Sequence, residues 1–278
     1  MEKSVGILYI VATPIGNLGD ITQRAAEILG SVDMIAAEDT RHSSVLLGRL
    51  GIKKPLISYY KERENSRAEE IIDKLKSGLN IALISDAGTP CVSDPGAVLV
   101  RRAHEENINV FPIPGACAAA AAFSVSGLVG GYVFLGFLPD KKKSRTELLS
   151  AFKGTKLPLV FYSAPHDVNE NLSFLYGELG ERRVYIMREM TKIHEEFRSG
   201  DLASLRFENP KGEFVLIIDG APEKTADNDL TAEAELAAYI EQGMPPKDAI
   251  KTTAKNRKLE KDVIYKIYLQ THKTPPSD

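Results

Sequence analysis

Two carboxylates, an arginine and a histidine crowd into five consecutive positions of Ala36-Ala-Glu-Asp-Thr-Arg-His-Ser-Ser44. A helix amino terminus accounts for Asp39 or Thr40 as a cap and for acids in a first turn, which explains two of these residues at most. Arg41 has the planar fork that takes a phosphate through paired hydrogen bonds, and Glu38 or Asp39 can hold a hydroxyl or act as a base. A second dense stretch is Ser85-Asp-Ala-Gly-Thr-Pro-Cys-Val-Ser-Asp-Pro-Gly96, which follows the apolar run Asn80 to Ile84 and precedes a helix-like segment. Ile81, Leu83 and Ile84 read as a buried parallel strand, and the small and turn-forming residues after them let a backbone approach a ligand. Open α/β sheets bind ligands at the carboxyl ends of such strands, and a plain connection rarely needs so many punctuating residues.

Three further stretches carry weaker signals. Ala12-Thr-Pro-Ile-Gly-Asn-Leu-Gly-Asp-Ile-Thr22 sits where a phosphate or dinucleotide loop would sit, yet it lacks a Gly-Lys-Ser/Thr and a third glycine, so ATP and NAD are disfavoured. Pro14 stiffens this turn, Gly16 permits a close approach, and Asp20 is expected to cap the next helix. In Pro112-Ile-Pro-Gly-Ala-Cys-Ala118 a strand turns into an alanine-rich helix, which suits a planar group and, at the helix start, a carboxylate; tight packing alone would demand the same residues. Arg188-Glu-Met-Thr-Lys-Ile-His-Glu-Glu196 crowds charge at the end of an apolar strand, and a charged edge that resists sheet pairing explains it as well as a site does.

The elements that must position these residues alternate. Strand-like and helix-like runs succeed one another from Ile7 to about Ser126, which implies α/β architecture with a largely parallel sheet. Tyr132–Phe137 begins a second unit, in which Glu195–Phe207 and Gly212–Asp219 alternate like antiparallel strands, so a mixed sheet is expected. Ala221 to Asp229 reads as a linker, and three short helices follow it, with apolar positions recurring at three and four. The expected division is 1–126, 127–221 and a helical, basic appendage over 230–278. Residues 247–273 of that appendage carry eight Lys/Arg against three acids, which a solvated helix face or a nucleic-acid surface would explain.

At 278 residues, 43% hydrophobic and 26% charged, the composition is that of a soluble globular chain with room for two cores. No charged region precedes an apolar core at the amino terminus, so no signal peptide is expected and the cytoplasm is the expected location. A net charge of −3 attracts neither nucleic acid nor membrane, and any polyanion must be held by local patches. Cys91 and Cys117 lie in Gly/Pro/Ala-rich segments and suggest neither a disulfide nor a metal site. Val110 to Pro139 has no charged residue, but its prolines and glycines break it into strand, helix and strand rather than a membrane span.

In this order, the motifs ATPIGNLGDIT, AEDTRHS, SDAGTP, VSDPG, PIPGACA, GFLP, REMTKIHEE and GEFVLIIDG resemble the tetrapyrrole methylase superfamily, and within it the ribosomal RNA small subunit methyltransferase I family. The resemblance spans residues 7–220 and, more loosely, the helical tail. It implies two α/β domains with S-adenosylmethionine in the cleft between them, 2′-O-methylation of a cytidine of 16S rRNA in the small ribosomal subunit, and a homodimer. It places Pro14, Gly16, Asp86, Ala87, Gly88, Thr89, Ser93, Cys117 and Ala118 against the cofactor, with Phe161 and Tyr162 closing over it and Asp86 as ribose or amino-group partner. Two stretches depart from the family pattern, Tyr162-Ser-Ala-Pro-His-Asp167 and Ser58-Tyr-Tyr-Lys-Glu-Arg-Glu64.

Under this reading Asp39 or Glu38 accepts the hydroxyl proton, Arg41, Lys141, Lys142, Lys143 and Arg145 hold phosphates, and the basic tail docks on the ribosomal particle. The substrate nucleotide is expected to be unpaired or splayed, because its sugar must be presented. Two rivals remain. A tetrapyrrole C-methyltransferase is disfavoured because the first loop lacks a Gly-x-Gly-Pro-Gly form. A non-catalytic ribosome-binding protein that only senses S-adenosylmethionine would fit the altered 163–167 stretch.

Overall fold

The computed structural model describes residues 5–222 and 231–271; most of the linker expected over Ala221 to Asp229, and the chain end from residue 272, lie outside the described residues. Five strands, β1 (Leu8–Val11), β2 (Met34–Ala37), β3 (Leu56–Ser58), β4 (Ile81–Ile84) and β5 (Val110–Ile113), form an all-parallel sheet in the order β3-β2-β4-β1-β5. The helices between them are α1 (Gln23–Ser31), α2 (Thr40–Arg49), α3 (Glu64–Lys76) and α4 (Ala97–Glu105).

Strand alternation divides the apolar side chains between two faces. Val11, Ile35, Ala37, Ala82 and Ile84 pack with Ala25, Leu29 and Leu47 of α1 and α2. Leu8, Ala36, Ile81 and Leu83 pack with Ala68, Ile71, Leu75, Leu99 and Ala103 of α3 and α4. A parallel sheet covered on both faces needs strands apolar throughout, which is why β4 is buried at all four positions. The Thr22 hydroxyl caps α1 by accepting from the Ala25 amide, at 3.0 Å. Asp20, the expected cap, lies instead in a short 3₁₀ turn, Leu18–Asp20, that ends before the helix begins.

After β5 the chain forms α5 (Ala118–Ser124) and then a second sheet of β6 (Val133–Phe137), β7 (Leu159–Ser163), β8 (Arg183–Arg188), β9 (Glu196–Asp201) and β10 (Phe214–Ile218). Its order is β6-β7-β10-β8-β9, with β6 and β7 parallel and the other pairs antiparallel, so the sheet is mixed as the sequence implies. One face packs on α6 (Lys142–Ser150) and α7 (Val168–Leu179) through Leu149, Val168, Leu172 and Leu175. Val160, Met187, Val215 and Ile217 on the other face are covered by Ala119 and Ala122 of α5. The short α5 thus follows the first sheet in sequence and packs on the second, within one compact unit that runs to Ala221.

The second compact unit, from Pro222, holds three helices, α8 (Ala232–Glu241), α9 (Pro246–Arg257) and α10 (Lys261–Thr271). Leu236, Ala249, Ile250, Ala254 and Ile264 fill its core, and Arg257 pairs with Glu235. Among the described residues no helix is long and apolar enough to cross a membrane.

Candidate functional site

The helix after β1 lies on one face of the first sheet and the helix after β4 on the other, while β1 and β4 are neighbours. Their loops therefore diverge and leave a crevice at the topological switch point. The loops are pinned to each other across it. The Thr13 amide donates to the Gly88 carbonyl at 2.8 Å, the Gly88 amide donates to the Thr13 carbonyl at 3.1 Å, and the Thr13 hydroxyl donates to the Ser85 carbonyl at 3.2 Å. The turn before α5 joins them, with the Thr89 hydroxyl on the Ala116 carbonyl at 3.0 Å. Only glycine fits at 115, since a Cβ there would lie 2.8 Å from Ala12 Cβ.

These loops and the second sheet enclose a cleft of about 410 Å³. Ala87, Gly88, Thr89, Cys117, Ala118 and Tyr162 line it, so six of the eleven expected cofactor residues meet at one place. The Tyr162 ring is held by Phe134 and Phe137 at 4.9 and 5.6 Å between centroids, and its hydroxyl accepts the Ala119 amide of α5 at 3.2 Å. Burial pushes the Tyr162 hydroxyl up to about 12, so it stays protonated and neutral. Phe161 does not face this cleft: strand alternation turns its side chain into the opposite core, where it is fully buried. Pro14 and Gly16 flank Ile15, which supplies the side chain at that wall. Ser93 stands beside β6, where a Cβ on Gly136 would lie 2.6 Å from its hydroxyl.

Carboxylates gather at the ends of β2 and β4. The Asp86 amide donates to Glu38 Oε2 at 3.4 Å, and Asp86 Oδ1 accepts the Asp39 amide at 3.1 Å. Asp86, the expected ribose or amino-group partner, is thus engaged in tying the two strand ends together, and the carboxylates that line the cleft are Asp94 and Glu213. Burial raises Glu38 above the ordinary carboxylate value, and the charges of Asp86, Asp94 and Glu62 add to the rise. Asp94 is raised by burial and by Asp86, against a lowering by the Ser85 hydroxyl. Asp39 behaves in the opposite way. It caps α2 through the Arg41 amide at 2.8 Å and pairs with the Arg41 guanidinium at 2.9 Å, which holds its carboxyl down at about 2. Of the two acids expected to take a proton, Glu38 is shifted toward holding one and Asp39 away from it.

The charged turn after β8 closes on the first loop: a Cβ on Gly16 would lie 2.6 Å from Lys192 Cγ. Its charges are spent locally, with Lys192 paired to Glu189 at 2.8 Å and to Glu213, a cleft residue, at 3.0 Å. Backbone strain collects here, since Cys91, Ser93, Glu189 and Thr191 all have positive φ without being glycine. Among the residues expected to hold phosphates, Lys141, Lys142 and Lys143 are exposed at the start of α6, and Arg41 is exposed beside Asp39. Arg145 is a correction: it is 9% exposed and donates to the Pro139 carbonyl at 2.6 Å and to Glu170 at 2.8 Å, so its guanidinium serves the fold. Among the described residues Cys91 and Cys117 are free thiols and no metal-binding cluster occurs.

Ile15, Asp94, Phe137, Ala164 and Glu213 also line the cleft and were not singled out from sequence. Asp94 was within reach, as it shares the dense loop with Ser93; Phe137 and Glu213 lie in the motifs GFLP and GEFVLIIDG, to which the resemblance attached no cofactor contact.

The family model of the tetrapyrrole (corrin/porphyrin) methylases matches residues 7–206. Proteins named ribosomal RNA small subunit methyltransferase I are similar over nearly the whole chain. The one from Haemophilus influenzae is 44% identical, with 97% of this chain and 98% of that protein aligned. The one from Bacillus subtilis is 41% identical, over 96% and 95%. Among solved structures, the methyltransferase CobJ matches with a TM-score of 0.60 at 18% identity, covering 78% of this chain and 95% of that one. The precorrin-6Y methylase of cobalamin biosynthesis from Archaeoglobus fulgidus matches with a TM-score of 0.52 at 20% identity, over 79% and 100%. Both structural likenesses concern the fold.

Proposed function

Because the chain belongs to the ribosomal RNA small subunit methyltransferase I family of the tetrapyrrole methylases, we propose that it is an S-adenosylmethionine-dependent enzyme that methylates the ribose 2′-hydroxyl of a cytidine in 16S rRNA. The observation that carries this reading is the cleft itself, in which three strand-end loops of small residues meet an aromatic wall and the carboxylates Asp94 and Glu213. That lining suits a zwitterionic nucleoside: small residues at Gly88 and Ala118 that leave room for it, flat apolar surface at Tyr162 and Phe137, and Asp94 for hydroxyls or an amino group. The first loop, without a phosphate-cradling lysine, is unsuited to a nucleoside triphosphate.

When bound, S-adenosylmethionine would supply an electrophilic methyl group on a sulfonium. The residues of the chain mainly position. Alignment of reacting groups is worth about 7–11 kcal/mol at best, before any base contributes. Glu38, partly buried among acids and raised above the ordinary carboxylate value, takes the proton of the hydroxyl. Arg41 and Lys141 to Lys143 engage phosphates at the surface. The protein works in the cytoplasm as a homodimer, and exposed Val125 and Val129 supply apolar surface for pairing.

The test is direct. Purified protein with labelled S-adenosylmethionine should transfer label to small ribosomal subunits, and rRNA from a strain lacking the gene should miss one 2′-O-methyl mark. Measured cofactor binding without transfer to any RNA would refute the enzymatic reading.

A further inference from the structure

The helical appendage contains a groove that the methylation chemistry does not use. It lies between α9 and α10 and measures about 700 Å³. Lys247 and Lys251, one turn apart, line it from α9, and Lys261, Tyr265 and Tyr268 line it from α10. Spacings of four and three place each set on a single helix face. The appendage does not need Tyr265 for its own core, which is filled by Leu236, Ala249, Ile250, Ala254 and Ile264, and Tyr265 stands 51% exposed.

Charge points the same way. Residues 247–271 hold seven Lys/Arg against three acids. Arg257 is paired with Glu235, whereas among the described residues no acid lies within 4.0 Å of the ammonium of Lys247, Lys251 or Lys261. Two of the three acids, Asp248 and Asp262, also line the groove, but each occupies the first turn of its helix, where a negative charge answers the helix dipole. What remains is a basic channel with an uncovered aromatic ring, the combination by which proteins hold unpaired nucleic acid.

We propose that this groove binds single-stranded RNA, with phosphates at Lys247, Lys251 and Lys261 and a base stacked on Tyr265. The proposal rests on the reading of the chain as an enzyme that acts on ribosomal RNA, and it adds a docking site within the appendage to that reading. Single strands are preferred because the bases of a duplex are already stacked on one another and present no free face.

The experiment uses the full chain, a fluorescent single-stranded RNA of twelve nucleotides and anisotropy over a series of salt concentrations. Tyr265→Ala should weaken binding about tenfold, and Tyr265→Phe, which keeps the ring, should stay within about twofold. The double variant Lys247→Ala, Lys251→Ala should reduce the salt slope by about 1.4, the release expected from two single-strand phosphates. All three should bind S-adenosylmethionine as the parent does. Unaltered RNA affinity in both Tyr265→Ala and the double lysine variant would overturn the proposal, as would equal affinity for a duplex of the same length. If the parent still methylates small ribosomal subunits, such a result removes the groove alone; if the parent transfers no label, the reading of the enzyme falls with it.

Discussion

Glu38→Gln removes one charge while preserving the shape of the side chain and an oxygen able to accept the Asp86 amide. The parent acid is raised by burial first and then by Asp86, Asp94 and Glu62, so it is a stronger proton acceptor than an ordinary carboxylate. A positioned general base contributes about 10²–10⁴-fold, and transfer to a weakly acidic hydroxyl should therefore slow about a hundredfold, with cofactor affinity within about twofold. Asp39→Asn is the matched control. Asparagine caps a helix as well as aspartate does, and a carboxyl held at about 2 by Arg41 has little affinity for a proton near neutral pH, so the expected loss is under about threefold. The assay is single-turnover transfer of labelled methyl to small ribosomal subunits, with calorimetry for the cofactor. Stability supplies a second readout. The folded chain binds the Glu38 proton more tightly than the unfolded chain, so the contribution of this group is fully present below the ordinary value of 4.5 and is lost as pH rises through the raised one. The glutamine variant should accordingly be more stable than the parent at about pH 8, and the gap should close toward about pH 4. Equal transfer rates for Glu38→Gln and the parent, or equal losses in Glu38→Gln and Asp39→Asn, would refute the assignment.

Two further outcomes follow from the geometry. Arg145→Ala should lower stability by about 2 kcal/mol in urea denaturation, through loss of a charged hydrogen bond to the Pro139 carbonyl, while leaving the salt dependence of RNA binding unchanged; the triple change Lys141→Ala, Lys142→Ala, Lys143→Ala should reverse the pattern. Tyr162→Phe keeps the aromatic wall but strips the Ala119 amide of its acceptor, and should cost about 1–3 kcal/mol in the same measurement.

Much of the architecture was legible because the physics that builds it is periodic. The apolar runs at Ile81–Ile84 and Met34–Ala37 have no polar face, and only a sheet covered on both sides accommodates them. The dense loops were visible because turn residues far exceeded what a connection requires. Periodicity failed where it carries no sign. Phe161 and Tyr162 are consecutive and both aromatic, so the sequence does not say which faces the cleft; the packing of α5 against the Val160 and Val215 face decides it. Arg145 belongs to a run of basic residues in sequence, yet the turn of α6 rotates it inward to Glu170 while Lys143 remains 89% exposed. Asp39 and Glu38 differ only through Arg41 and the burial at the end of β2, and neither is written in the spacing. The short strand Leu56–Ser58 is three residues long, too few for alternation to register.

The alanine helix α5 leaves one sheet and seats against the other, and this restricts how the gene can be divided. A fragment beginning at Tyr132 would uncover Val160, Met187, Val215 and Ile217 together, an adhesive apolar face on an otherwise complete sheet. Recombination cannot trade these halves as independent cassettes unless the helix travels with the strands it covers.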